Sequence, residues 1–161
     1  GEVGMSLAKR FLALGARVVA ADVDKAKSAA AEKLGVLIVS SQQVLAANCD
    51  VLVPCAMGGI IHDVTIPQIQ AKIIAGVANN TLGHKSHAQR LKENNIDFLP
   101  DFALNAGALI EGSHHFHTKE TSCPDKIAAI GDTIEHVLMR SMNGNISTVD
   151  AAFAIAAEKV T

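Results

Sequence analysis

The sequence predicts an α/β fold: a doubly wound, Rossmann-like parallel sheet that lacks its first strand, followed by C-terminal helices. Five short aliphatic runs, at residues 17–22, 36–39, 51–53, 72–77 and 96–99, lie among helical patterns, and strands alternating with helices imply βαβ units. Composition agrees: 49% of the 161 residues are hydrophobic but only 3% are aromatic, with no Trp or Tyr, so the core must be built from Ala, Val, Ile and Leu. That mix suits helices covering a buried parallel sheet. The length is that of one domain with a full core and leaves no room for a second large one.

Each element has its own signal. Val3, Leu7, Phe11 and Leu14 recur at helical spacing, and Gly15 is placed to end that helix in a left-handed cap. After the strand at 17–22, Asp24 caps an alanine-rich helix reaching Leu34, and Gly35 stops it before the strand at 36–39. Ser40 or Ser41 caps a short helix to Ala47. Val51-Leu52-Val53 is a continuous apolar run of the kind buried on both faces of a parallel sheet, and the runs at 72–77 and 96–99 follow it, separated by a polar helix at about 85–94. From Asn105 on, only helices are predicted: one through about Phe116, one from near Pro124 to about Met142, and one over 148–160. Pro124 is tolerated in a first turn, Ser147 or Thr148 with Asp150 marks a helix start, and Asn143-Gly144-Asn145 makes the intervening turn. The expected division is a sheet-bearing unit at 1–112 and a helical segment at 113–161 packed on it.

The first helix opens on Gly1-Glu2-Val3-Gly4, and the strand behind it ends on Asp22. This is the back half of a GxGxxG dinucleotide fingerprint. Gly1 fits the glycine that lets backbone approach a pyrophosphate, Gly4 the one that packs helix on sheet, and Asp22 the acid expected about 20 residues on, which binds the adenine ribose. A first strand and a first glycine are expected before Gly1, so the chain reads as a piece of a longer protein that starts mid-motif. Two small residues beginning a helix can also serve close packing alone; Asp22 tips the reading to NAD. Lys25 and Lys27 could favour a 2′-phosphate, but the Asp22 carboxylate would repel it, so NAD is expected over NADP.

Charge narrows the partners. The net charge is −2 with a pI near 6.4, and there is neither a basic stripe nor a set of stacking aromatics, so nucleic acid is not an expected partner. The uncharged run at 51–61 holds Pro54 and two glycines and is far too short to span a bilayer, and no secretory signal is read. Cys49, Cys55 and Cys123 are an odd number without CxxC spacing, which points to a reducing compartment, the cytoplasm by default.

Open α/β sheets bind ligands at the carboxyl ends of their strands. There the sequence places Pro54-Cys55-Ala56-Met57-Gly58-Gly59, Val77-Ala78-Asn79-Asn80, and Pro100-Asp101-Phe102-Ala103-Leu104-Asn105-Ala106-Gly107. Small residues let a planar ring lie against backbone, and asparagine amides offer a donor and an acceptor to a carboxamide or carboxylate. Asn and Gly are also ordinary turn formers. Three such loops on one sheet edge favour a ligand site over three coincidental turns.

These loops resemble the signatures of the amino-acid dehydrogenases acting on leucine, phenylalanine and valine, relatives of glutamate dehydrogenase, in order and spacing along nearly the whole chain, with the leucine-acting members nearest. The resemblance implies an oxidoreductase that reversibly deaminates a branched-chain or aromatic L-amino acid to its 2-oxo acid and ammonia, with hydride transfer to NAD. It implies that Gly1, Glu2, Val3 and Gly4 hold the pyrophosphate, and Asp22 with Val23 the adenine ribose. Cys55, Ala56 and Met57 would border the nicotinamide riboside; Ala78, Asn79 and Asn80 would contact its ribose or the substrate; Asn105 would steady the carboxamide. The substrate pocket would include Asn79, Leu109 and Gly112, and a glycine at that last position leaves extra room. The family pattern Asn-Ala-Gly-Gly departs here to Ala108 at its fourth position. The family's catalytic lysines and aspartate belong to an amino-terminal substrate domain not found in this chain, so no catalytic residue is expected in it and these residues alone are expected to be inactive, with a homo-oligomer expected for the full-length protein.

His114 with His117, and His84 with His87, have the i, i+3 spacing of a metal pair, but without a third ligand each reads as a polar helix face, and no metal is expected. Cys55 has no base paired with it in sequence and reads as a small wall residue, Met57 as a packing residue. Two alternatives stay open: a regulatory Rossmann module that senses a dinucleotide without turnover, and an NADP-linked glutamate-type enzyme.

Overall fold

The computed structural model describes residues 1–160. Helix α1 (Glu2–Ala13) leads to β1 (Val19–Ala20), α2 (Lys25–Glu32), β2 (Leu37–Ile38), α3 (Ser41–Leu45) and β3 (Val51–Leu52). A 3-10 turn (Ile66–Gln68), β4 (Ile73–Ile74), α4 (His87–Glu93), β5 (Asp97–Phe98) and α5 (Asp101–Leu104) follow. The remainder is helical: α6 (Gly107–Thr118), α7 (Pro124–Ala128), α8 (Ile130–Gly144) and α9 (Thr148–Glu158).

All strand pairs are parallel, in two sheets of order β1-β2 and β3-β4-β5. Among the described residues β1 and β3 are not paired with each other, so the doubly wound arrangement is present with a gap at its centre.

Local chemistry fixes the element ends. Gly15 at φ 79° and Gly35 at φ 93° take left-handed conformations that end α1 and α2, where a Cβ would be strained. The Asp24 carboxylate accepts from the backbone N–H groups of Ala26 and Lys27, Ser40 and Gln43 form a reciprocal capping box, and Ser147 accepts from Asp150 N–H at the start of α9.

Three differences from expectation have physical causes. The core face of α1 is not the Val3, Leu7, Phe11 and Leu14 stripe: Ala8 is buried with Met5 and Leu12 against Val18, Ala20 and Ile38, while Val3 and Leu14 are exposed. Both stripes have helical spacing, and the packing partner selects between them. The helix expected from Pro124 to Met142 breaks at Ala129, where ψ falls to −7° and α8 restarts. Val51 is 38% exposed beside Leu52 at 7%, so the sheet alternates instead of being buried on both faces.

The main core gathers Leu52, Ile74 and Phe98 from the sheet with Ala88 and Leu91 of α4 and Val149 of α9. The α8–α9 corner docks here by hydrogen bonds as well. Thr148 Oγ1 donates to the Phe98 carbonyl at 2.6 Å, and Lys92 Nζ donates to the carbonyls of Ser141 (3.1 Å) and Ile146 (2.7 Å). Helix α6 runs continuously through residue 112.

Candidate functional site

A row of contacts crosses the gap between the sheets. At one end the Gly1 nitrogen donates to Asp22 Oδ2 at 2.8 Å, and Asp24 N–H donates to Asp22 Oδ1 at 2.9 Å. A quarter of that side chain remains open to solvent. Lys27 pairs with Asp24 at 3.8 Å.

In the middle of the row, a Cβ built on Gly4 would lie 3.4 Å from Cys55 Cβ, so the first turn of α1 rests on the loop after β3. The Cys55 thiol donates to the Val53 carbonyl at 3.3 Å, and burial pushes its pKa up, away from nucleophile character. Next, Gly58 lies so close to the β4 loop that a Cβ would meet the backbone oxygens of Asn79 at 2.6 Å and Asn80 at 2.8 Å. Gly59 N–H donates to the Asn80 carbonyl at 2.7 Å, and Val77 and Ala78 N–H both donate to the Pro54 carbonyl.

At the far end Asn105 Nδ2 donates to Asn79 Oδ1 at 2.6 Å and, at 3.4 Å, to the Val77 carbonyl. Two asparagines chosen from different loops thus form one amide pair. Asn79 retains its amide donors and Asn105 its carbonyl oxygen for a carboxamide or hydroxyl.

The other predicted residues fall around this row. Glu2 and Val3 lie in the first turn of α1 and are exposed, as are Val23 (93%), Ala56 and Met57 (73%). Ala78 is buried, and its carbonyl accepts from Thr81 Oγ1. Leu109 faces an open groove of about 350 Å³ shared with Ile110, Ser113, His114 and Lys126, and around Gly112 a Cβ would meet nothing within 4 Å. His114 pairs with Glu120 (2.8 Å) and Lys126 (3.1 Å) instead of with His117. His87 Nδ1 accepts from His84 N–H, and its Nε2 lies 3.3 Å from Asp63, which also binds Arg90. Among the described residues there is no group of three or more metal-ligating side chains.

Sequence reading assigned no role to Asp101. It is buried, its Oδ2 accepts from Asn80 N–H at 2.7 Å, and its backbone carbonyl accepts from Asn105 N–H at 2.9 Å. The available signal was an acid directly after Pro100 at a strand end.

The residues fit a dinucleotide. A carboxylate acceptor open to solvent stands at one end, the N-terminus of α1 lies beside it, and an amide pair closes the other end.

The sequence profile of the Glutamate/Leucine/Phenylalanine/Valine dehydrogenase family matches residues 20–161. The leucine dehydrogenase of Geobacillus stearothermophilus is 35% identical over 162 residues, and that of Bacillus cereus 34% over 163; each alignment covers 99% of this chain and 44% of the relative. Among solved structures, the L-tryptophan dehydrogenase of Nostoc punctiforme superposes with a TM-score of 0.94 at 31% identity, over 99% of this chain and 49% of that one. The chain thus spans about half the length of the proteins it matches.

Proposed function

The chain belongs to the Glutamate/Leucine/Phenylalanine/Valine dehydrogenase family, and from that premise we propose that it is the NAD-binding part of an enzyme that reversibly deaminates a branched-chain or aromatic L-amino acid. The products would be the 2-oxo acid and ammonia. The observation that carries the reading is the row from Gly4 and Cys55 through Gly58 and Asn79 to Asn105, with Asp22 beside the start of α1. It matches in order the parts of an extended dinucleotide.

In this reading Asp22 accepts from the adenine ribose hydroxyls, and backbone at Gly1–Gly4 receives the pyrophosphate at the N-terminus of α1. Cys55, Ala56 and Met57 wall the nicotinamide riboside. Ala78, Asn79 and Asn80 bind its ribose and the substrate, and Asn105 fixes the ring's carboxamide. Bound NAD supplies the hydride acceptor; the chain supplies orientation and electrostatics. Leu109 and Gly112 border the substrate side chain, and the open space at Gly112 favours a bulky one. The division of labour at residue 112 belongs to this proposal, as does a homo-oligomeric full-length protein. Cytoplasmic residence is supported by three free thiols, and no helix among the described residues is long and apolar enough to cross a membrane. Family membership favours this enzyme over a non-catalytic sensor.

Titrating NAD and NADP into this protein and its Asp22→Ala variant tests the reading. NAD is expected to bind more tightly than NADP, and the variant to lose NAD affinity while NADP affinity holds or rises. Equal losses for both would remove Asp22 from the ribose site.

A further inference from the structure

We propose that Asp101 is a positioning residue, whose buried carboxylate holds the Asn80 backbone in a left-handed turn and so sets the Asn79–Asn105 amide pair. The assignment to the nicotinamide end of a cofactor rests on the reading above; the coupling between the loops does not.

Asn80 has φ 52°, a region an L-residue enters against a steric cost that is smaller for Asn than for most but still present. Its peptide is held on both sides. Its N–H donates to Asp101 Oδ2 at 2.7 Å, and its carbonyl accepts from Gly59 N–H at 2.7 Å. The first bond has a carboxylate acceptor and is partly buried, and so is among the stronger kind. Asn105 sits on the same element as Asp101, since it caps α5 and its N–H donates to the Asp101 carbonyl at 2.9 Å as that helix's own i→i+4 bond. The Asp101 side chain therefore ties the turn at Asn80 to the short helix that Asn105 caps, and the two asparagine side chains meet at 2.6 Å. Neither Asn79 nor Asn105 bonds to a charged side chain of its own, so the register of the pair depends on the backbones beneath it.

The first test needs no cofactor. In Asp101→Ala, exchange of the Asn80 amide is expected to accelerate about tenfold or more, the factor expected for losing a charge-assisted hydrogen bond. The Asn105 side-chain amide resonances should shift while the melt stays cooperative. Asp101→Asn keeps an acceptor oxygen without the charge and should fall between. An Asn80→Gly background should shrink the Asp101→Ala effect, because glycine enters the left-handed region freely. Unchanged Asn105 resonances in Asp101→Ala would overturn the proposal, as would an Asp101→Ala effect undiminished by Asn80→Gly.

The second test separates the halves of the ligand. NADH affinity should fall about tenfold in Asp101→Ala with ADP-ribose affinity within twofold of wild type; parallel losses would mark a structural residue and sink the nicotinamide assignment. A wild-type protein that binds neither ligand would refute the NAD reading, and the resonance comparison would still decide whether Asp101 sets the pair.

Discussion

A methyl group added to Gly58 has no space in front of it, although the residue is exposed: its Cβ would press on two backbone oxygens, at 2.6 and 2.8 Å, belonging to Asn79 and Asn80. Backbone cannot swing aside as a side-chain tip can, so Gly58→Ala should cost about 1–3 kcal/mol, the range of overpacked sites. Urea unfolding measures this, and a variant as stable as its parent would show that the two loops separate freely. At Asn105 the consequence is kinetic. In the proposed reading, loss of its amide would leave the adenine half of the cofactor untouched but free the nicotinamide, and an error of about 1 Å at a reacting centre can cost on the order of 10²-fold in rate. Asn105→Ala in the full-length enzyme should therefore lower kcat far more than it weakens NAD binding; normal turnover would return Asn105 to a turn former. Most residues of this row were legible because they are chemically conspicuous: glycines at a helix start, an acid at a strand end, asparagines in loops. Asp101 was not, since one carboxylate after a proline looks like any helix start, and only the fold brings it beneath Asn80, 21 positions away.

Helix α9 is tied to the sheet half through its capped first turn. Its capping residue Ser147 donates to Asp150 Oδ2 at 2.7 Å, and Lys85, from the loop before α4, reaches Asp150 Oδ1 at 2.7 Å while its ammonium lies 5.1 Å from the Phe153 ring centre. Lys85, then Ser147, hold the Asp150 carboxyl below its ordinary value of 3.8. A carboxylate with a lowered folded-state pKa contributes stability that is present above its unfolded pKa and is lost as pH falls through the folded value. Asp150→Asn should thus be less stable than wild type at pH 7, by about 0.2–1 kcal/mol for a partly exposed pair, and equal to it in acid once pH has fallen through the lowered folded value. Denaturation midpoints at both pH values check this; a gap that persists in acid would assign the loss to packing. At this scale the strand positions and caps were legible from apolar runs and from Asp24, Ser40 and Ser147. The single-turn elements at Ile66–Gln68 and Asp101–Leu104 were not, because one turn has no periodicity to count. The break at Ala129 has no Gly or Pro at the spot to announce it.

Across the whole molecule, the two sheets have unequal support. The β1–β2 half buries Ala8, Ala31 and Val36 as its core, whereas the β3–β5 half encloses eleven buried residues including Ile61, Ile74, Leu91 and Phe98. Small apolar residues bury little area, so the first half should open at lower free energy than the second. Native-state hydrogen exchange reads this directly. The N–H groups of Leu37 and Val39, bonded to the Val18 and Ala20 carbonyls, should exchange faster than those of Ala75 and Leu99, bonded to Leu52 and Ile74. A dinucleotide spanning the row from Asp22 to Asn105 would touch both halves and bind only when both are formed. By linkage such a ligand raises the opening free energy by RT ln(1 + [L]/Kd), about 2.7 kcal/mol at a hundredfold excess over Kd. Saturating NAD should therefore slow exchange at Leu37 and Val39 and at Ala75 and Leu99 by the same factor, about a hundredfold at that excess, leaving the difference between the halves in place. Equal protection of both halves without NAD would contradict the uneven core, and slowing confined to Ala75 and Leu99 would show that NAD does not reach across the gap to Asp22.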